Sequence, residues 1–367
     1  MSSELNHKEL HRCCDPASLG FETTAEVEPL SGALGQEEAM KALAFGVSVP
    51  SKGYNIFALG RVGSGRRTFI KRELEARAKT EPTPSSWCYG FNFKDPRRPV
   101  ALELPAGRGE LLKARVDALI TDLKRAIPQA LEADDVTNRR SAIYEDRGRE
   151  ANAAMAEFRK GVEKDPNVVL IGNQDGIVVV PAQEGEPITK EVYAGLSEEV
   201  RLIIDETVRG ASKELFQTQR RMHELQQEAA GLAEDLHRQV TRSVVDHRFS
   251  NLKEFYLESP RILRHLDEMA EDVVENWEQF IPQEEQETEL PPALGGGPGG
   301  ENFFRRYQIN PIVTRDRNSG APVIVESNPT PWTLTGRVEG QMRFGVMVTD
   351  FTRLAPGALH RANGGYL

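Results

Sequence analysis

The sequence predicts an α/β domain interrupted by a long helical, coiled-coil insertion that carries a small β-hairpin. Three observations predict it. A glycine-rich turn separates an apolar run from strong helix formers within residues 54–79. A heptad pattern runs from Ile204 to Val240, and strand-like segments return only after Tyr307.

Taken in order, residues 1–20 are expected to form a flexible N-terminus, with Cys13 and Cys14 as ordinary thiols. Residues 21–107 are expected to be the first half of the α/β domain. Gly35-Gln36-Glu37-Glu38-Ala39 opens a short helix with Ala39, Leu43 and Val47 on one face. Tyr54 to Leu59 reads as a buried strand, Gly60 to Gly65 as a tight turn, and Phe69 to about Lys79 as a helix. That layout is a phosphate-binding loop: glycines let successive N–H groups converge on an anion at the positive end of a helix. The usual pattern is G-x-x-x-x-G-K-[ST], with lysine on the outer phosphates and the hydroxyl on Mg²⁺. Gly60 and Gly65 fit, Arg66 takes the lysine place, Arg67 the hydroxyl place, and Thr68 comes one residue late. Arginine can clamp phosphate through its forked, always charged head. Losing the hydroxyl weakens Mg²⁺-dependent hydrolysis, so binding is better supported than turnover. Trp87–Phe93 and Pro99–Leu104 read as further strands after a Pro/Ser loop at 82–86.

Residues 108–282 change character. Leu112, Val116, Leu119, Leu123 and Ile127 recur at helical spacing, as do Ala151, Met155, Phe158 and Val162. At 168–181, two β-branched runs flank Asn173-Gln174-Asp175-Gly176, a hairpin signal. Then Ile204, Val208, Ala211, Leu215, Thr218, Met222, Leu225, Ala229, Leu232, Leu236 and Val240 hold the alternating four-and-three steps of a coiled-coil seam. Met222 belongs to that seam, and His223 and His237 are expected on solvated faces. A helix from Ile262 to Phe280 ends at Pro282. Residues 283–301, rich in Glu, Gly and Pro, are expected to be a flexible loop. Residues 302–367 resume the α/β domain, with strands at Gln308–Val313 and Pro322–Glu326.

The composition excludes several classes. The chain has 367 residues, 28% of them charged, and a net charge of −10, so nucleic acid is not an expected partner. Arg61, Arg66, Arg67, Lys71 and Arg72 nevertheless form a local basic cluster, which keeps a nucleic-acid-handling ATPase as a rival reading. Three cysteines cannot build a disulfide framework, and no CxxC pair suggests zinc. No secretory signal and no run of about 20 apolar residues occurs, so no membrane partner is expected and a reducing cytoplasm is the default.

Several blocks together resemble a known family. Gly60-x-x-Gly-Ser-Gly-Arg, Phe91-Asn92-Phe93-x-Asp95-Pro96 and Pro99-x-Ala-Leu-x-Leu-Pro105-Ala-Gly107-x-Gly109 look like the AAA+ portion of Lon-like ATP-dependent proteases. Pro322-Val323-Ile324-Val325-Glu326-x-Asn328-Pro329-Thr330, Leu334-x-Gly336-Arg337-Val338-Glu339 and the run Pro356 to Leu367 are similar to it too. The resemblance implies a P-loop AAA+ fold, ATP as ligand, a homo-oligomeric ring, and unfolded or damaged proteins as substrates for a Ser-Lys peptidase. It implies phosphate contacts from Gly60, Gly63, Ser64, Gly65 and Arg66, with Gly35 and Gln36 near the adenine. Arg67 stands where a small or hydroxyl residue is usual, which leaves Mg²⁺ with Thr68 as its one remaining ligand candidate. In the family, Gly-Gly-Tyr-Leu begins the strand bearing the Walker B acids. This sequence ends at Leu367, so the resemblance implies an N-terminal fragment lacking those acids and the Ser-Lys dyad. No catalytic residue is expected in it, and neither hydrolysis nor proteolysis by this chain alone. A degenerate, non-hydrolysing scaffold or a partner-binding coiled coil is the alternative. Asn328-Pro329 reads as a rigid turn and His360 as structural. Phe344 and Met347 fit either ordinary packing or a pore loop that grips polypeptide.

Overall fold

The computed structural model describes residues 6–7, 10, 13–28, 35–49, 51, 53–173, 176–282, 301–343 and 346–367. The flexible loop expected at 283–301 therefore lies outside the described residues up to 300, as do Phe344, the side chain of Met347 and the hairpin tip at 174–175. The chain divides into two compact units, Met1–Glu81 and Pro82–Leu367. The division falls inside the stretch 21–107 that the sequence reading kept together.

The first unit has two short 3₁₀ turns, Pro16–Leu19 and Thr24–Glu26, and two helices, α1 (Glu37–Ser48) and α2 (Arg66–Ala78). Glu37 and Glu38 in the first turn of α1 suit the positive end of its dipole. α2 begins at Gly65, whose φ of 72° is left-handed backbone that glycine adopts without strain. The strand expected before the loop is not formed. Residues 54–60 make no ladder with any described residue, and Phe57, Leu59 and Val62 are 85%, 81% and 99% exposed. The physical reason is that a strand is stabilised by its neighbours, and this one has none among the described residues to bury its side chains or pair its backbone.

The second unit is mostly helical. β1 (Ser86–Gly90) and β2 (Val100–Leu104) lead into α3 (Gly109–Leu131) and α4 (Asp134–Val162). A small sheet follows, of β3 (Val168–Asn173), β4 (Gly176–Gln183) and β5 (Glu186–Pro187), then the short α5 (Lys190–Ala194). α6 (Glu198–Lys253) is one helix of 56 residues, roughly 80 Å long at 1.5 Å per residue. α7 (Pro260–Glu275), α8 (Glu301–Phe304) and β6 (Ile309–Val313) complete the packed body.

β1 lies between β2 and β6, antiparallel to both. Cys88, Leu102 and Leu104 turn one face of this sheet into a core shared with α3, the C-terminal end of α6, and α7. Leu112, Val116, Leu119, Leu123 and Ile127 are all buried, as their spacing predicts for one face of α3. The polar stretch before Ala151 is also helical, so α4 runs continuously from Asp134 and packs along α6. β3 and β4 pair from Val168↔Pro181 to Asn173↔Gly176, and Phe158, Val162, Val168, Val179 and Leu215 form a second, smaller core beneath them.

Two corrections concern α6. Leu232 is 44% exposed and Ala233 is buried in its place. A helix turns every 3.6 residues, so a strict seven-residue seam drifts around it by about 20° per heptad. His237 is half-buried rather than solvated: its ring meets Trp277 edge-on at 4.9 Å, and burial together with Arg140 lowers its pKa.

The last fifty residues hold α9 (Pro331–Thr335), β7 (Arg337–Val338), β8 (Gln341–Arg343), β9 (Val346–Val348), β10 (Leu354–Ala355) and α10 (Ala358–Arg361). Asn328-Pro329 leads into α9, where Thr330 caps the helix by accepting from the Thr333 N–H at 3.2 Å. β7 pairs with β10, and β8 with β9. Val323 bridges Tyr366 in parallel, with the Ile324 N–H donating to the Tyr366 carbonyl at 2.9 Å and the Tyr366 N–H to the Pro322 carbonyl at 2.8 Å. Gly365 allows that approach, since a Cβ there would sit 2.2 Å from the Pro322 carbonyl oxygen.

Candidate functional site

In the first unit, the residues read as a phosphate loop border a cleft of about 430 Å³. Gln36 at the start of α1, Gly60 and Ser64 in the loop, and Arg66 at the start of α2 all line it. The loop folds through a turn in which the Ser64 N–H donates to the Arg61 carbonyl at 3.3 Å. Gly35, Gly63, Gly65, Arg67 and Thr68 are not among the lining residues. Thr68 is exposed on the first turns of α2. The described residues contain no group of three or more His, Cys, Asp or Glu side chains that could hold a metal ion.

Sequence reasoning missed the apolar wall of this cleft. Ala39, Ala42 and Leu43 of α1, Ile56 to Leu59 before the loop, and Phe69 and Ile70 of α2 provide it. The helical spacing of Ala39 and Leu43 was the available signal. A cleft with a few polar groups set in apolar walls is the usual make-up of a small-ligand site.

The electrostatics of α2 point the same way. Its first turn carries Arg66 and Arg67, no acidic residue, and no side-chain cap. Cations at the positive end of a helix dipole are unfavourable by about 0.3–1 kcal/mol each, a cost that a bound anion reverses. In this structure Arg66 folds back: its Nη1 donates to the Ala58 carbonyl at 3.2 Å, and its stem lies over Gly60, whose hypothetical Cβ would be 2.8 Å from the Arg66 Cδ. The guanidinium thus sits across the floor of the loop.

Cys88 offers no nucleophile. It is buried in the second unit's core, and burial, with Glu110 nearby, pushes its pKa up to about 12.

Comparison with known families adds a second line of observation. Residues 319–367 match a LonB-like AAA domain, and residues 86–119 match a Lon-like LonC helical domain. In these two segments the chain is similar to Lon-family proteins. The Lon-like helical match spans β1, β2 and the first half of α3, which pack as one body with the long helices. The AAA match spans the parallel pairing of Val323 with Tyr366. Neither matched segment reaches Gly60–Thr68, so the phosphate loop stands on its own geometry. No curated protein matches the chain. Among the described residues, no helix is long and apolar enough to cross a membrane.

Proposed function

We propose that this chain is the ATP-binding AAA+ module of a Lon-like ATP-dependent serine protease, engaging polypeptide and feeding it to a Ser-Lys peptidase domain. The observation that carries this reading is the cleft that gathers Gln36, Gly60, Ser64 and Arg66 at a helix N-terminus charged by two arginines. The two Lon-like matches supply its context. Backbone N–H groups around Gly63–Arg66 would take the phosphates, Arg66 would swing from the Ala58 carbonyl to add charge, and Gln36 would stand by the base. The apolar wall from Ile56 to Leu59 and Phe69 would shield the ring from water. Mg²⁺ has no evident ligand in Arg67, and Thr68 stands outside the cleft. ATP binding with little or no Mg²⁺ dependence is therefore the expected behaviour. The module would work in a homo-oligomeric ring in the cytoplasm.

The test is thermal melting with and without ATP, each with and without Mg²⁺. A ligand that binds only the folded state stabilises it by about 2.7 kcal/mol at a hundredfold excess over its Kd. Gly65→Asn should keep the ATP shift, because asparagine tolerates left-handed backbone. Gly65→Asp should abolish it, because the same backbone then carries a negative charge beside the phosphates. Equal shifts in both variants would remove the loop from the site.

A second reading is favoured by one contact, the Arg66–Ala58 hydrogen bond. If that bond is permanent, the loop is a closed, non-hydrolysing scaffold and the helical arm binds partners. Arg66→Ala would then leave every nucleotide response at zero, as in the parent chain.

A further inference from the structure

The small sheet packed on α4 and α6 has the strand order β3-β4-β5, and its two edges are built differently. β5 is only Glu186–Pro187, a short edge carrying a carboxylate and a proline, the features by which proteins discourage further pairing. β3, at the other edge, runs for six residues, Val168–Asn173, with no charged residue and no proline. Its register with β4 is unbroken, so no bulge twists it away. No described strand pairs with its outer side. This strand lies outside both Lon-like segments.

The register decides which backbone groups the edge presents. The Ala182 N–H donates to the Asn167 carbonyl at 2.8 Å, which makes Asn167 and Ala182 a bonded pair. The next pair, Val168 and Pro181, is not bonded. Proline has no N–H, and the Pro181 carbonyl accepts from the Ile188 N–H at 3.0 Å on the β5 side. Bonded and non-bonded pairs alternate along an antiparallel ladder, so the N–H and C=O groups of Val168, Leu170 and Gly172 point away from β4. Val168 is buried, Leu170 half-buried and Gly172 exposed, and a Cβ on Gly172 would meet nothing within 4 Å. The open part of the edge is therefore Leu170 to Gly172.

These groups and their neighbours narrow the occupant. Main-chain donors and acceptors at strand spacing are met by another extended backbone, and not by a helix, whose own groups are already paired. On the inner face, Val168 and Leu170 join the core of Phe158, Val162, Val179 and Leu215. On the outer face Ile171 stands beside Val178, 39% and 43% exposed. Neither β3 nor β4 carries a charged residue, so an added strand meets apolar, β-branched neighbours and no ion-pair partner. The extent of the edge separates a polypeptide segment from a second copy. Six residues span about 20 Å. One strand edge of that length falls short of the roughly 1,200 Å² that a stable pair of proteins buries. A short extended segment needs no more than this edge provides.

We propose that the β3 edge takes up an extended, uncharged polypeptide segment as a fourth strand of this sheet, hydrogen-bonded to the main chain of Leu170 and Gly172. The proposal rests on the reading of the chain as a polypeptide-handling module. It gives that module a grip that tolerates many sequences, because main-chain groups do the holding, at a point separate from the nucleotide loop.

The experiment is a fluorescence-anisotropy titration of the full chain with the peptide Lys-Thr-Val-Thr-Val-Thr-Lys-amide, labelled with fluorescein at its N-terminus. An analogue N-methylated at the three central residues keeps every side chain and loses those N–H donors. Saturable binding of the parent peptide is expected, with the methylated one weaker by about tenfold or more. In the protein, Gly172→Ala keeps the outward N–H at an open position and should bind within about twofold of the parent chain. Gly172→Pro removes that N–H while leaving the bonds to β4 whole, and should weaken the peptide by about tenfold. No saturable signal at millimolar peptide, equal binding of the methylated analogue, or equal binding by Gly172→Pro would overturn the proposal. Sedimentation velocity without peptide tests the rival occupant: self-association of the parent chain that Gly172→Pro abolishes would assign the edge to a second copy and overturn the proposal. The ATP melting shift is read on the same preparations. Its survival when the peptide fails would overturn this docking point alone, and its loss with peptide binding intact would overturn the nucleotide reading alone.

Discussion

The two units differ most in what lies buried inside them. Among the described residues of Met1–Glu81 only Leu43 and Ala78 are buried, while Phe57, Leu59 and Val62 face solvent. In Pro82–Leu367 one continuous core joins the sheet, α3, α7 and the end of α6 through residues such as Leu123, Phe249, Leu266 and Tyr307. The sparsely packed unit is also the one with the phosphate loop. A segment with few buried contacts has little intrinsic stability, so a ligand that binds it changes its stability by a large fraction. The arm and sheet owe their order to packing, and the loop segment has little packing of this kind.

The sharpest way to break that contrast is to damage the packed unit. Phe249→Ala removes a fully buried ring and should cost about 3–5 kcal/mol, read by urea unfolding with Trp277 as the reporter. Leu59→Ala in the first unit, at a position 81% exposed, should stay within about 0.5 kcal/mol. Comparable losses at the two positions would show that the loop segment is packed in solution.

A somewhat smaller effect is expected from acid. His265 is buried on α7 beside Phe93, and neither ring nitrogen has a hydrogen-bond partner among the described residues. Burial lowers its pKa from 6.5 to about 4, with Glu268 pulling the other way; Lys94 pairs with Glu268 at 2.6 Å. The unfolded chain therefore takes up this proton first as pH falls. The neutral histidine's contribution is fully present above about pH 6.5 and is lost as pH drops towards 4, by up to about 3 kcal/mol. In His265→Leu the part of the pH dependence lying between 6.5 and 4 should flatten; an unchanged slope would assign it to other groups. A pair of substitutions tests the drift of the α6 seam. Leu225→Ala should cost about 2–5 kcal/mol and Leu232→Ala less than about 1, although both occupy heptad positions.

The regular patterns were legible because each depends on a local period. The α3 face from Leu112 to Ile127 repeats at helical spacing and is buried throughout. The β-branched runs around Asn173–Gly176 pair as a hairpin through residues adjacent in the chain. Among the site residues, Gly60, Ser64 and Arg66 were legible as a loop motif, and Gln36 came through the family resemblance. That these four share a cleft, and that Arg66 turns onto the Ala58 carbonyl, is a property of the folded segment and of no local pattern.

The sequence by itself determined the helices of the arm, the glycine turn and the resemblance to Lon-like proteins, because periodicity, backbone freedom and motif spacing are all written locally. Only the tertiary structure decided that 54–60 forms no ladder among the described residues, that β1 finds β6 across some two hundred intervening residues, and that Ala233 rather than Leu232 is buried. Each of these depends on which distant surface is available to complete a ladder or cover an apolar face, and that availability is a property of the packed chain.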